Sequence, residues 1–407
     1  MRSILVIFTF FTFTLLNPFF SNAQLGIEKK IQTEMILADD GSVVNIEEGT
    51  FSISKSLSMD GKKNITIKGQ GIDKTILSFK NQTSGAEGIK ITNCENIILE
   101  DLTVQDSKGD LIKTMHVKGI TFRRVKAEWT GVPSKDNGGY ALYPVLCENV
   151  LIDSCIAIGA SDAGIYVGQS KYIVVKNCLA YQNVAGIEIE NSLYADVYDN
   201  IANGNTGGIL VFDLPDLVQK KGGFVKVHNN IIKENNLSNF APKGNIVAKV
   251  PKGTGMLVIA TSHIEVYKND IVNNATMGIG IISYFMTENK INDKQYNPIP
   301  TAINIHDNTF ERKKRKVPME GRFGQMYRFK LKFGRNAPHI VYDGIVNPLM
   351  KGKDGKVSAA NRICIKNNKN QSFANIDAEH EFKNISRDIS PYDCELPAVD
   401  VKSISRQ

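Results

Sequence analysis

The chain has 407 residues with a formal charge of +7, and 42% of them are hydrophobic. No apolar run of membrane-spanning length follows the first two dozen residues, which excludes a multi-span helical membrane protein. The charge is uneven: residues 311–335 hold ten Lys or Arg against two Glu, so this window carries +8 and the rest is near neutral.

In chain order the first segment is MRSILVIFTFFTFTLLNPFFSNAQ. One Arg, a long apolar run and the small-x-small ending Ser21-Asn22-Ala23 predict a signal peptide over residues 1–23, cleaved before Gln24. An N-terminal membrane anchor is the alternative. The expectation is an exported protein, periplasmic or secreted, with no transmembrane segment after signal removal. Export makes nucleic acid the least suited partner for the basic window and leaves an acidic polysaccharide or lipopolysaccharide, with a solvated loop that binds no ligand as the alternative.

The remaining chain would suggest two or three domains unless a repeat makes one long core. A repeat is present. AGIYVGQSKYIVVKNCLAYQNV (163–184), AGIEIENSLYADVYDNIANGNT (185–206) and GGILVFD (207–213) align, with Gly164, Gly186 and Gly208 spaced by 22 residues. Its second strand recurs earlier as CENIILED (94–101) and CENVLIDS (147–154), and later as VYKNDIVNN (266–274), INIHDNTF (303–310) and ICIKNN (363–368). Short β-branched runs broken by Asn, Asp and Gly are strand and turn chemistry. A unit this short must stack on its neighbours to bury its apolar face.

Three short strands and three corners per unit predict an all-β fold, a single-stranded right-handed parallel β-helix of about ten turns. It spans residues 24–370 with an N-terminal cap, and 371–407 form a C-terminal tail. These units, with the opening ADDGSVVNIEEGTFSISKSLSM (38–59) and NITIKGQGIDKTILSF (64–79), resemble the pectate-lyase-like β-helix superfamily. That superfamily includes pectate lyases, polygalacturonases, alginate lyases and mannuronan C5-epimerases. The resemblance implies a polysaccharide ligand and leaves the chemistry to the site.

Stacking also assigns the corners. Asn177, Asp199, Asn229 and Asn269 are expected in or near one corner column. Cys155 and Cys178 fall in adjacent turns as stacked inward thiols, about 5 Å apart by strand spacing. Cys94 and Cys147 lie too far apart to bridge, and Cys364 with Cys394 can close the tail. His228 and His306 align with Tyr198 and Tyr267 as an exposed ladder.

Unit length rises at 129–138, 213–223, 236–253 and 284–300, and these insertions border one sheet. Its floor, counted from each first-strand glycine, places Lys90, Leu111, Ala141, Tyr166, Glu188 and Leu210 in one outward column. The next holds Thr92, Lys113, Tyr143, Gly168, Glu190 and Phe212. Lys113, Tyr143, Tyr166 and His116 are the catalytic candidates. Glu188, Glu190, Asp162, Gln169, Asp213 and Phe212 are the substrate-binding candidates. No closely spaced His or Cys set resembles a zinc site, and no metal residue is assigned.

Aromatic faces suit sugar rings, and Lys and carboxylates orient hydroxyls or acid groups. Elimination or C5 epimerisation of a uronate chain needs a charge neutraliser, a base and a proton donor. Lys113 supplies the first or second and a tyrosine the third; calcium on Glu188, Glu190 or Asp213 is the alternative neutraliser. Glycoside hydrolysis by Glu188 and Glu190, with Asp162 as an alternative partner, ranks second, since the Asp-Asp and Gly-His-Gly pattern of polygalacturonases is missing. A non-catalytic glycan-binding or structural β-helix is the reading from another class.

Overall fold

The computed structural model describes residues 18–313 and 315–402, with side chains from residue 26 onward. Residues 1–17 of the predicted signal segment lie outside this range. Residues 18–23 begin helix α1 (Pro18–Leu37).

All the strands run in parallel coils, as the repeat requires. One strand from each coil builds a front sheet of eleven rungs. In chain order these are β1 (Lys55–Asp60), β2 (Ser84–Thr92), β3 (Ile112–Met115), β4 (Tyr140–Val145) and β5 (Ala163–Gly168). They continue as β6 (Ala185–Glu190), β7 (Gly207–Phe212), β8 (Thr254–Ile259), β9 (Met277–Ile282), β10 (Ile340–Tyr342) and β11 (Phe373–Asn375). A second sheet of nineteen strands wraps the rest of each coil. Coil-to-coil register keeps like on like: Ile165 pairs with Ile187, and Ile187 with Ile209. These side chains are fully buried in a core that runs the length of the solenoid. Apolar burial at every rung supplies the main driving force.

The corners hold two buried amide ladders. Asn200, Asn230, Asn269, Asn308 and Asn368 stack so that each side-chain oxygen after the first accepts from the backbone N–H and the amide of the rung before it, while that of Asn200 accepts from Cys178 N–H. Asn183, Asn205, Asn235 and Asn274 repeat the arrangement at another corner. The expected column is therefore corrected by one residue: Asn177, Asp199 and Asn229 precede the ladder, and only Asn269 belongs to it. Those three take left-handed backbone, with φ of 55°, 55° and 53°. The bend takes a left-handed residue just before each inward side chain, and Asn and Asp suit that backbone.

Cys155 and Cys178 are buried free thiols, as are Cys94 and Cys147. The outer ladder of Tyr198, His228, Tyr267 and His306 stacks at centroid separations of 5.1, 4.7 and 5.3 Å. A second ladder, Tyr172, Tyr194, Phe224 and His263, was not legible in the alignment.

Both ends are tied down. Ile31 and Met35 of α1 close the first coil's core. The Glu28 carboxylate accepts from Ser54 N–H at 2.7 Å, and Gln32 accepts from Ser58 N–H and donates to Ser58 C=O, both at 2.8 Å. At the other end a Cys364–Cys394 disulfide anchors the tail. Beyond it, Val399 N–H donates to Glu265 at 3.0 Å, and the Lys402 ammonium sits 4.9 Å over the Tyr194 ring. Cys394→Ser is expected to release residues 393–402 to protease while the coils stay resistant, which limited proteolysis read by mass spectrometry checks. Unchanged protection of that segment would show that the hydrogen bonds alone hold it. Among the described residues, no helix is long and apolar enough to cross a membrane.

Candidate active site

The front sheet's outer face carries a row of polar groups that the coil register lines up. Lys113 of β3 pairs with Tyr143 of β4, and Tyr166 of β5 pairs with Glu188 of β6, which pairs with Leu210. Since Leu142 pairs with Ile165, Tyr143 stands beside Tyr166. Lys113, Tyr143, Tyr166 and Glu188 thus share one column, and Glu190 shares the next with Gly168 and Phe212.

This corrects the glycine count by two residues. Leu111 and Ala141 occupy the inward positions that Gly164 and Gly186 fill in later coils, and both are fully buried rather than on the floor. Gly109 and Gly139 were the misleading markers.

The ammonium of Lys113 lies 4.9 Å from the centroid of the Tyr143 ring and 3.8 Å from the Glu87 carboxylate. Tyr143 meets Tyr166 edge-on at 5.0 Å, and the Tyr166 hydroxyl donates to Glu190 at 2.8 Å. Gly168 makes that reach available, because a Cβ there would stand 2.1 Å from the Tyr166 hydroxyl oxygen. Tyr140 completes an aromatic trio, 4.4 Å from both Tyr143 and Tyr166. It escaped the sequence reading because it precedes Tyr143 by three residues, where strand alternation points inward. The strand start is bent, so Tyr140, Ala163 and Ala185 join the outer cluster.

The row is not the open groove floor that the spacing suggested. Glu188 is 1% exposed, Asp162 5%, and Glu190 and Asp213 6% each. Loops supplied much later in the chain roof it. Asn245 donates to Asp162 at 2.9 Å, Gly222 N–H donates to Asp213 at 2.8 Å, and the Tyr296 hydroxyl donates to the Asp213 carbonyl at 2.6 Å. Gln169 pins the 213–222 loop by accepting from Val218 N–H at 2.9 Å. Phe212, Val247, Tyr296 and Tyr327 pack into an apolar layer above β7 to β9. Tyr327 comes from the basic window, so that segment is part of the roof. Solvent reaches the row from the Lys113 and Tyr143 end, where both side chains are half-buried. His116 stands at an exposed corner past β3, and its ring makes no hydrogen bond to the row.

Residues 55–216 and 130–295 match the family model of the right handed beta helix region. The chain belongs to this family. Among right-handed β-helix structures it is similar to the A-module of the Azotobacter vinelandii mannuronan C-5 epimerase AlgE4. That likeness has a TM-score of 0.55 at 15% identity, covering 85% of this chain and 90% of that one, and it shows the fold. Over 208 residues it is 26% identical to the pre-neck appendage protein of Bacillus phage B103, and over 219 residues 22% identical to that of Bacillus phage phi29. Those stretches are 42% and 45% of this chain but only 24% and 25% of the appendage proteins, so the chain matches about a quarter of their length.

Within this β-helix the roofed row has unusual electrostatics. Burial, reinforced by the Glu190 charge, pushes Asp162 up to about 7. Burial lifts Glu190 to about 7 against the opposing hydrogen bond from Tyr166, and lifts Asp213 to about 7. Glu188 is driven well above the carboxylate range by burial and by the charges of Asp162 and Glu190. Asp110, nearer the open end, rises to about 6 through burial, opposed by Lys113. The phenols of Tyr140, Tyr143 and Tyr166 are raised by burial and by these carboxyls. The tyrosines are therefore held protonated, whereas Asp162, Glu190 and Asp213 can take or give a proton near neutral pH. Two buried oxygens, Asp162 Oδ1 and Glu188 Oε2, have no hydrogen-bond partner. Among the described residues, no group of three or more His, Cys, Asp or Glu side chains could hold a metal ion.

Proposed function

We propose that the protein modifies an acidic polysaccharide by acid–base proton transfer on the front sheet, as a lyase or C5-epimerase. The observation that carries this reading is the continuous row from Lys113 through Tyr143 and Tyr166 to Glu190 and Asp162. A cation stands at its solvent end and proton-sharing carboxyls at its buried end. Lys113 neutralises the uronate carboxylate, which acidifies the neighbouring C–H. Glu190 and Asp162, poised near neutrality, carry the proton, and Tyr166 hands it on through its hydrogen bond. The partly exposed rings of Tyr143 and Tyr140, at the open end of the row, seat the sugar ring.

Glycoside hydrolysis is the second reading, favoured by the two raised carboxyls Asp162 and Glu190. The phage appendage relatives support a third, a structural or glycan-binding role without chemistry. The exported location belongs to the same proposal, while calcium on Glu188, Glu190 or Asp213 is the alternative neutraliser to Lys113.

Incubation with alginate, pectate and glycosaminoglycans separates these readings. Unsaturated uronate absorbance reports a lyase, C5 proton exchange an epimerase, and new reducing ends without unsaturation a hydrolase. Asp162→Asn and Glu190→Gln are each expected to lower turnover about 10²- to 10⁴-fold with the fold intact. A chelator arm, restored with calcium, reads the metal. Retention of all three glycans with no turnover would leave the binding role and end the enzymatic one.

A further inference from the structure

The basic window borders a cavity of about 650 Å³ above the C-terminal rungs of the front sheet. Such a volume is ordinary for a small-ligand site. Lys249, Lys252, Arg322 and Lys330 line it, against the carboxylates of Glu288 and Glu320. Arg322 is paired to Glu288, and Lys252 lies 3.5 Å from Glu320. Among the described residues, the other two cations have no carboxylate partner. Lys249 donates to the Thr287 carbonyl and the Asn289 side-chain oxygen, both neutral, and the Lys330 ammonium lies 4.6 Å over the Phe382 ring. The cavity therefore keeps two unneutralised positive charges beside aromatic surface from Phe323 and the 48% exposed Phe285.

Its position ties it to the acid row. Asn245, which donates to Asp162, immediately precedes the 3₁₀ turn Ile246–Lys249, and Lys249 at the end of that turn lines the cavity. One turn of loop thus touches the buried carboxyls at its start and the basic cavity at its end.

We infer that this cavity is a remote subsite for a carboxylated sugar residue of the polymer, held by Lys249 and Lys330 and stacked on Phe285 or Phe323. The inference rests on the reading that a glycan chain lies along the front sheet. A uronate there meets two free cations and an apolar ring face. A neutral sugar meets only the ring. Binding at this distance fixes which residue of the chain sits over the row.

Calorimetric titration of the full chain with oligogalacturonate, oligomannuronate and cello-oligosaccharide of equal length tests it. Lys330→Glu, an exposed change, is expected to weaken uronate binding about tenfold and flatten its salt dependence. Lys249→Gln should weaken it in the same direction, with thermal midpoints checking both folds. Neither variant should alter the weak affinity for the neutral oligosaccharide. Equal uronate affinity in wild type and both variants overturns the subsite, as does cello-oligosaccharide binding as tightly as the uronates. Since the readout needs no turnover, an inactive protein that still shows the Lys330 effect would sink the chemistry and keep the subsite. An active protein without the effect would do the reverse.

Discussion

Glu190→Gln is expected to raise the thermal midpoint at pH 8 and leave it unchanged at pH 4. Burial lifts this carboxyl from its ordinary 4.5 to about 7 in the folded chain. The folded state therefore binds the proton more tightly than the unfolded one. Stability from that preference is fully present below the unfolded value and is lost as pH rises through about 7. The loss amounts to roughly 3 kcal/mol for a shift of this size. Gln keeps the shape, still accepts from Tyr166, and removes the ionisation. Asp162→Asn should act in the same sense, since burial lifts Asp162 to about 7 as well. Because the two sites interact, the double variant should gain less than the sum. Differential scanning calorimetry across pH 4 to 9 measures this, and a parallel pH profile for wild type and Glu190→Gln would show that the carboxyl is not held protonated. The stabilising direction matters, because a variant that loses turnover yet gains stability marks a site kept at a cost to the fold.

The second large effect is expected at the amide ladder. The Asn230 oxygen accepts from Asn200 N–H and from the Asn200 amide, both at 3.0 Å, while its own amide donates to Val197 C=O and Asn269, both at 2.9 Å. Asn230→Leu removes all four and leaves Asn200 N–H and Val197 C=O buried without partners. The cost should be about 3–5 kcal/mol, several times that of one exposed hydrogen bond, because the orphaned groups lose water as well. Asn229→Ala, next door on left-handed backbone, should cost only about 1 kcal/mol. Urea denaturation of the two variants compares them, and equal losses would show that the corner bend rather than the ladder carries the stability.

The fold was legible because its cause is local and repeated. Gly164, Gly186 and Gly208 keep one spacing, and the isoleucines beside them keep one face. The site was legible only where that spacing held. In the coils of β3 and β4 the inward glycine is replaced by Leu111 and Ala141, while Gly109 and Gly139 sit two residues earlier, so counting from glycine moved Lys113 and Tyr143 into the wrong column. Tyr140 was invisible because the bend at the strand start breaks the alternation. Burial of the acids was out of reach for a different reason. The groups that roof them, Asn245 and Tyr296, lie 83 residues beyond Asp162 and Asp213, and no periodicity links a loop to the rung it covers. The calcium and export readings rest on chemistry and processing rather than on the coil geometry, and the assays above address the first of them.

Helix α1 has a further consequence. The first rung of the front sheet is an edge, and its outward backbone groups would otherwise offer a template on which another chain could lay a strand. Glu28 and Gln32 stand one helical turn apart and face that edge. Between them they occupy Ser54 N–H and both backbone groups of Ser58. Two side chains thus imitate the hydrogen-bonding of the missing strand without offering a new edge beyond it. In a solenoid whose rungs would otherwise add end to end, the helix is what makes the coil count finite at its start.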